Sequence, residues 1–302
     1  MNEKQQVTFF SKNIITCPAC RTEFQKEELQ TGRGRLNAGD LTTELRRLYI
    51  PTQKYGVVNP ILYTIIVCPS CLYAGMLSDF KKVLPNMIAG IQAEQDNRDK
   101  LLTDIFGEKI DFTVFRDTIE GLAAYILAFA STIHLPKESS PTARRGLYTL
   151  RAAWLADDLY TKSQLEHFKE LRDSLYYQSY INYSECLEKQ FKHLESFDGF
   201  VWMGPDVDTN FGYDGLLYII AYLSLKHIHL LPPEQQIVKI GNVKHVLSKI
   251  FGVGKSNKNK PQVIVLNSKN LYVQASDQLS LLANKGFDTS IADEIENQED
   301  EE

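Results

Sequence analysis

Two patterns of apolar positions divide the chain. From about residue 80 to 252, apolar residues recur every three to four positions, the spacing of one helix face. Ile119, Leu122, Ala123, Ile126, Leu127, Ala130 and Ile133 make one such stripe. Beyond Pro141, Leu147, Leu150 and Trp154 lie on one face and Tyr148, Ala152, Leu155 and Leu159 on another, so this helix needs neighbours on both sides. The pattern continues over 163–196 through Leu165, Phe168, Leu171, Leu175, Tyr183, Leu187, Phe191 and Leu194, and Gly199 ends it. Further helices are predicted over 214–230, stopped by Pro232 and Pro233, and over 234–251. A polar break at 254–261 leads to a short apolar run at 263–266 and a last helical candidate around 271–282.

Before residue 80 the apolar runs are short and broken by Gly and Pro, which suits a small strand-and-loop module. Residues 60–67 read as a buried strand, β-branched and aromatic, and 38–49 as a short helix. The helices beyond, with their short connections, predict antiparallel hairpins stacked side by side, as in tetratricopeptide-type (TPR-like) arrays, though a strict repeat of roughly 34 residues is not found. Residues 285–302 carry no apolar period and predict a solvated acidic tail.

Composition adds little: 302 residues, 43% hydrophobic and 24% charged, as in an ordinary globular protein. The net charge of −5 is outweighed by the seven acids of residues 293–302, so it says nothing about a substrate. The start of the chain does not read as a secretory leader. The longest uncharged apolar run, 121–133, falls short of the roughly 20 residues of a membrane span. No membrane association is expected, and cytoplasm is the expected location.

The chemistry lies in the cysteines. Cys17-Pro-Ala-Cys20 and Cys68-Pro-Ser-Cys71 are two copies of one motif. A Cys-x-x-Cys turn aims two sulfurs at one ion, and two such turns complete a tetrahedral Cys₄ site, for which one structural zinc is the expected occupant. The 47 residues between the pairs exceed a common zinc-ribbon spacer, so the knuckles must meet by folding back. Iron, held by the same four sulfurs as in rubredoxin, is the alternative. A thioredoxin-like role needs only one such motif, and the cysteine usage favours a reducing compartment over disulfides. Cys186, alone within a helical stretch, reads as a packed core thiol.

The stretch from Asn59 through Tyr63, Cys68-Pro69-Ser70-Cys71, Tyr73, Ala74, Gly75, Ser78 and Asp79 to Phe80 resembles the hallmark segment of a bacterial family catalogued as domain of unknown function 2225. The resemblance implies an N-terminal zinc-ribbon-type module followed by a helical, often TPR-like, region. It also implies metal binding without an established activity. In this chain Arg21 and Leu72 stand where a glycine usually follows each knuckle, which predicts looser turns with intact ligands. The expected fold is therefore mainly α, a small zinc-ribbon or rubredoxin-like module over 13–80 joined to a TPR-like helical domain over 81–284.

Other motifs carry less. Gly252-Val-Gly254-Lys255-Ser256 ends like a P-loop, but Lys249 stands where the first glycine belongs. Asp206, Asp208 and Asn210 begin like a calcium loop, yet Phe211 and Leu217 occupy its glycine and glutamate positions, leaving a polar loop whose Asp214 caps the next helix. The six histidines and the acids form no catalytic constellation, so no enzyme is expected. Arg33, Arg35, Arg46 and Arg47 lie between the knuckles and are candidate nucleic-acid contacts, although the basic excess is small for such a protein. Tyr176, Tyr177, Tyr180, Tyr183 and Trp202 are candidates to line a partner groove, with core packing the plainer reading. The leading expectation is a zinc-stabilised scaffold for an unidentified protein or peptide. An iron redox protein and a nucleic-acid-binding zinc ribbon are the alternatives.

Overall fold

The computed structural model describes residues 6–30, 32, 34–252 and 260–297. Three antiparallel hairpins open the chain: β1 (Thr8–Thr16) with β2 (Glu23–Leu29), β3 (Ala38–Leu41) with β4 (Arg47–Tyr49), and β5 (Ile65–Val67) with β6 (Ala74–Met76). Helices α1 (Leu77–Phe80), α2 (Ile88–Ala93), α3 (Gln95–Phe106), α4 (Thr118–Ser131), α5 (Pro141–Ser163) and α6 (Glu166–Phe191) follow. Then come α7 (Gly212–Lys226), α8 (Pro233–Phe251), α9 (Gln262–Asn284) and α10 (Ser290–Glu296).

By packing, the chain forms two compact units, one of residues up to Leu41 with Arg47–Val201, the other of Thr42–Arg46 with residues from Trp202 onward. These follow a different line from the sequence-based division at 80 and 284.

In the first unit, the strands bearing the cysteines rest on α4. Asp117 opens that helix with a capping box shared with Glu120. Ser131 Oγ, at its far end, accepts from the Ala74 amide at 3.2 Å, and the Tyr125 hydroxyl donates to the Ile61 carbonyl at 3.2 Å. A Cβ at Gly121 would sit 2.4 Å from Leu62 Cδ2, so the glycine gives the Leu62 side chain its place against α4. The turn at 60–63 is a departure from the expected strand. Asn59 accepts from the Ile61 amide with Pro60 behind it, which closes a helical turn and leaves only Ile65–Val67 extended.

Helices α5 and α6 form an antiparallel hairpin. Thr142 at the start of α5 meets Lys189 late in α6, and Asp157 late in α5 meets Arg172 early in α6. The linker turns on Gln164, whose φ is +59°. At 23 and 26 residues, this pair is longer than a TPR unit of roughly 34 residues can hold, so the hairpin is found but not that period.

One charged pair lies in the interior of this unit. Arg144 on α5 bonds Asp79 of α1 at 2.8 Å, with side chains 6% and 1% exposed. Arg144 also donates to the carbonyls of Ser139 and Gly199.

The helix expected over 38–49 is a hairpin instead. Leu41, Leu45 and Leu48 mimic a helical face, but Thr42 Oγ1 accepts from the amides of Glu44 and Arg46, and Leu45 takes a φ of +59°, which closes a turn. In the second unit, the tip of this hairpin meets α7, where Tyr218 donates to the Thr43 carbonyl at 2.7 Å and Tyr222 to Glu44 at 2.9 Å. Asp214 does not cap α7; it pairs with Lys260 at 3.0 Å. Helix α9 runs unbroken from residue 262, because Ser268 belongs to its buried stripe with Ile264, Leu271, Ala275, Leu279 and Leu282.

The expectation of a solvated tail from 285 fails over α10. Ala292 is buried against Gly241 of α8, where a side chain would come within 2.9 Å of Ala292 Cα. Lys244 pairs with Glu296 at 2.6 Å, and Tyr272 bonds the same carboxylate. Acidic composition hid a helix held by one small residue and one buried lysine. Residues 298–302 lie outside the described residues. A chain ending at Lys285 is therefore expected to lose about 2 kcal/mol in urea unfolding, from lost apolar burial and an unpartnered Lys244; an unchanged midpoint would mean that α10 does not dock.

Candidate metal centre

The four motif cysteines converge. Cys17 and Cys20 turn the corner between β1 and β2, and Cys68 and Cys71 between β5 and β6. The two knuckles share one set of bonds. The amide of the first cysteine donates to the carbonyl five residues on (Cys17 to Thr22, Cys68 to Tyr73), and its carbonyl accepts from the residue after the second (Arg21, Leu72). These last two residues take φ of +68° and +58°. The turns are thus not loosened by the missing glycines; a non-glycine residue adopts the left-handed conformation at each knuckle, at a cost of about 1–2 kcal/mol.

Cys17 Sγ lies 3.7 Å from Cys71 Sγ and Cys20 Sγ 3.5 Å from Cys68 Sγ, and all four sulfurs fall within 4.8 Å of one another. A tetrahedral ion with metal–sulfur bonds of about 2.3 Å would place its ligands roughly 3.8 Å apart. The donor set and its spacing fit one such ion. The surroundings are apolar: Ile66, Tyr73, Phe80 and Ile91 form one buried cluster with Cys17, Cys68 and Cys71.

Crowding sets the thiols of Cys17, Cys68 and Cys71 against one another. Hydrogen bonds from the Cys68 and Cys71 thiols pull Cys17 far below its usual value, and the same bonds, together with burial, push Cys68 and Cys71 up. A dication removes that conflict, since each sulfur then trades its proton for the metal. Backbone amides are already turned to the sulfurs, those of Ala19 and Cys20 to Cys17 and those of Ser70 and Cys71 to Cys68.

Sequence reasoning missed the residue that completes this site. Arg98 of α3 is 3% exposed, and its Nε and Nη2 donate to the Cys71 carbonyl at 3.0 and 2.8 Å. A divalent ion with four thiolates carries a net charge of −2, and Arg98 sets a permanent cation beside it. Gln92 adds a bond to the Ala19 carbonyl at 2.7 Å. Neither residue stands at a motif spacing, so only the packing of α2 and α3 against the knuckles reveals them. Arg98→Met is expected to weaken metal retention about ten- to hundredfold in competition with a chromophoric chelator, as loss of outer-shell support does elsewhere; unchanged retention would remove Arg98 from the site.

The remaining candidates disperse. Cys186 is buried in α6, with its thiol donating to the Tyr183 carbonyl at 3.0 Å, and it takes no part in the cluster. Tyr176 and Tyr183 are 5% and 1% exposed, so they are core residues and do not line a groove. Tyr177 is exposed, with its ring 6.3 Å from that of Tyr180, and Trp202, in the second unit, donates to the Asp206 carbonyl at 2.7 Å. Arg35 donates to Gly32 and stacks on Tyr55, and Arg47 in β4 donates to the Gly39 carbonyl in β3. Arg46 is half-buried in the second unit. Arg33 lies outside the described residues, as do Gly254, Lys255 and Ser256 of the P-loop-like stretch. In the calcium-like loop, Asn210 Oδ1 is spent on the amides of Met203, Gly204 and Gly212.

A family described as "Uncharacterized protein conserved in bacteria (DUF2225)" matches residues 10–275. The chain belongs to this family. A relative in Borreliella burgdorferi (strain ATCC 35210 / DSM 4680 / CIP 102532 / B31), described as an uncharacterized protein, is 34% identical over 278 residues, 92% of this chain and 99% of its own. No solved structure matches the chain. The DUF2225 match spans both knuckles and extends into α9, so the cysteine cluster and helices α1 to α8 fall within one family pattern. No helix among the described residues is long and apolar enough to cross a membrane.

Proposed function

We propose that this protein is a non-enzymatic zinc protein in which a structural Cys₄ site fixes the strand module to a helical scaffold that binds another protein or peptide. The convergence of Cys17, Cys20, Cys68 and Cys71 within 4.8 Å carries the reading. Two further features support a structural role for the ion. Four thiolates leave no open position on a tetrahedral metal, and three of the four cysteines are buried. Reduced thiols at such a site suit a reducing compartment, which supports the cytoplasm as its location. The long α5–α6 hairpin suits a scaffold that presents a binding surface.

Elemental analysis of protein purified without added metal tests this reading. One zinc per chain and a colourless protein are expected, with full zinc content retained in Cys186→Ala. A red, iron-loaded protein would overturn zinc in favour of a redox centre. Loss of metal from Cys186→Ala would mean that the ligand set is wrong.

A further inference from the structure

In the first unit, an open cleft of about 330 Å³ lies between the turn that follows α4, the start of α5 and the end of α6. Its charged lining is Lys137, Arg145 and Lys189 against one acid, Glu195. That acid is buried and spent, since its two oxygens accept from the amide and the hydroxyl of Thr142, both at 2.7 Å. Lys189 is shared between Thr142 and Glu185. Arg145 Nε donates to Thr132 Oγ1 at 2.8 Å, which fixes the guanidinium and leaves its two terminal nitrogens without a partner among the described residues. Lys137 is exposed and has no acidic partner among them. Beside these cations the cleft is apolar, through Leu135, Ile133 and Leu194, the last two each more than half exposed.

One wall of the cleft is braced by the cysteine module. The Ala74 amide, just past the second knuckle, donates to Ser131 Oγ. The His134 ring packs on Gly90 of α2, where an added Cβ would come within 3.3 Å of its Cε1. Thr132 and Ile133 lie between these two anchors, and Arg145 is tied to the same segment through Thr132. The cations and apolar side chains are therefore set in place before anything binds, which lowers the cost of binding.

The excess of positive charge selects an acid, and a guanidinium with both terminal nitrogens free suits the two oxygens of a carboxylate. The apolar residues beside it ask for a large apolar side chain from the same occupant. A nucleic acid supplies phosphates but no such side chain, and its backbone calls for a longer run of cations without a carboxylate among them. A small-molecule site encloses most of its ligand, whereas this cleft opens onto exposed apolar neighbours that a polypeptide would cover.

We propose that this cleft docks a segment of a partner protein in which an aspartate or glutamate stands beside a large apolar residue. The inference rests on the scaffold reading above and names the partner's chemistry. The test is a random dodecapeptide display library selected on the full-length, metal-loaded protein, followed by calorimetry with the enriched peptides. Circular dichroism checks that Lys137→Glu and Arg145→Gln fold; Lys137 is exposed, so its variant carries the test even where the half-buried Arg145 does not tolerate change. Enriched peptides are expected to share an acid next to a large apolar residue, to bind more weakly as ionic strength rises, and to lose about fivefold or more in affinity for each variant. Peptides that carry no acid, or that bind both variants as tightly as the parent, would overturn this cleft and leave the scaffold reading standing. Binding of a labelled oligothymidylate that both variants abolish would assign the cleft to nucleic acid instead. Failure to enrich any peptide would overturn both readings.

Discussion

Cys68→Ser is expected to release the metal and to open both cysteine hairpins, giving the largest effect of any single substitution here. Structural zinc contributes on the order of 10 kcal/mol to small domains. The four sulfurs are the point where β1–β2 and β5–β6 meet. Limited proteolysis is expected to cut within residues 6–30 and 60–76, while the α5–α6 hairpin, with its own buried interface, keeps its helical circular dichroism. The damage should also reach α4, because Tyr125, Ser131 and Gly121 contact the strand module directly. Full metal content in Cys68→Ser would refute the site, and collapse of the entire helical signal would show that α5 and α6 do not persist without the module.

The second large effect is expected at Asp79 and Arg144. Their ion pair is almost fully buried, and burial lifts the Asp79 carboxyl above its usual range although Arg144 opposes that shift. Removing one partner leaves the other charge buried and unpaired, which costs about 3–5 kcal/mol. Arg144→Met and Asp79→Asn are each expected to lose stability on that scale in urea unfolding. The double variant should recover a substantial part of the loss, because it buries no unpaired charge. Single variants within about 0.5 kcal/mol of the parent would mean that the pair is open to solvent. The raised Asp79 value also fixes a sign. Between the ordinary carboxylate range and the raised value, the folded state holds a proton that the unfolded chain releases, so this group's contribution to stability falls as pH rises through that window.

The sequence alone determined which four cysteines converge and where most of the helices lie. A duplicated Cys-Pro-x-Cys marks four thiols for one candidate metal site, and the stripes of α4, α5 and α8 repeat at a spacing only a helix satisfies. Periodicity misled where a polar residue interrupted it or bonded the backbone beside it. Thr42 bends the apparent helix at 38–49 into a hairpin, Asn59 coils the start of the expected strand at 60–67, and Ser268 hides the first turns of α9. The tertiary structure alone decided what surrounds the chemistry. Arg98 lies 27 residues beyond the carbonyl it bonds, and Asp79 lies 65 before its buried partner. Gly241 and Lys244 recruit α10 from a stretch that composition marks as solvated. Local patterns report which face of an element is apolar; the partner that faces it is chosen by packing between segments far apart in sequence, and no local pattern encodes that choice.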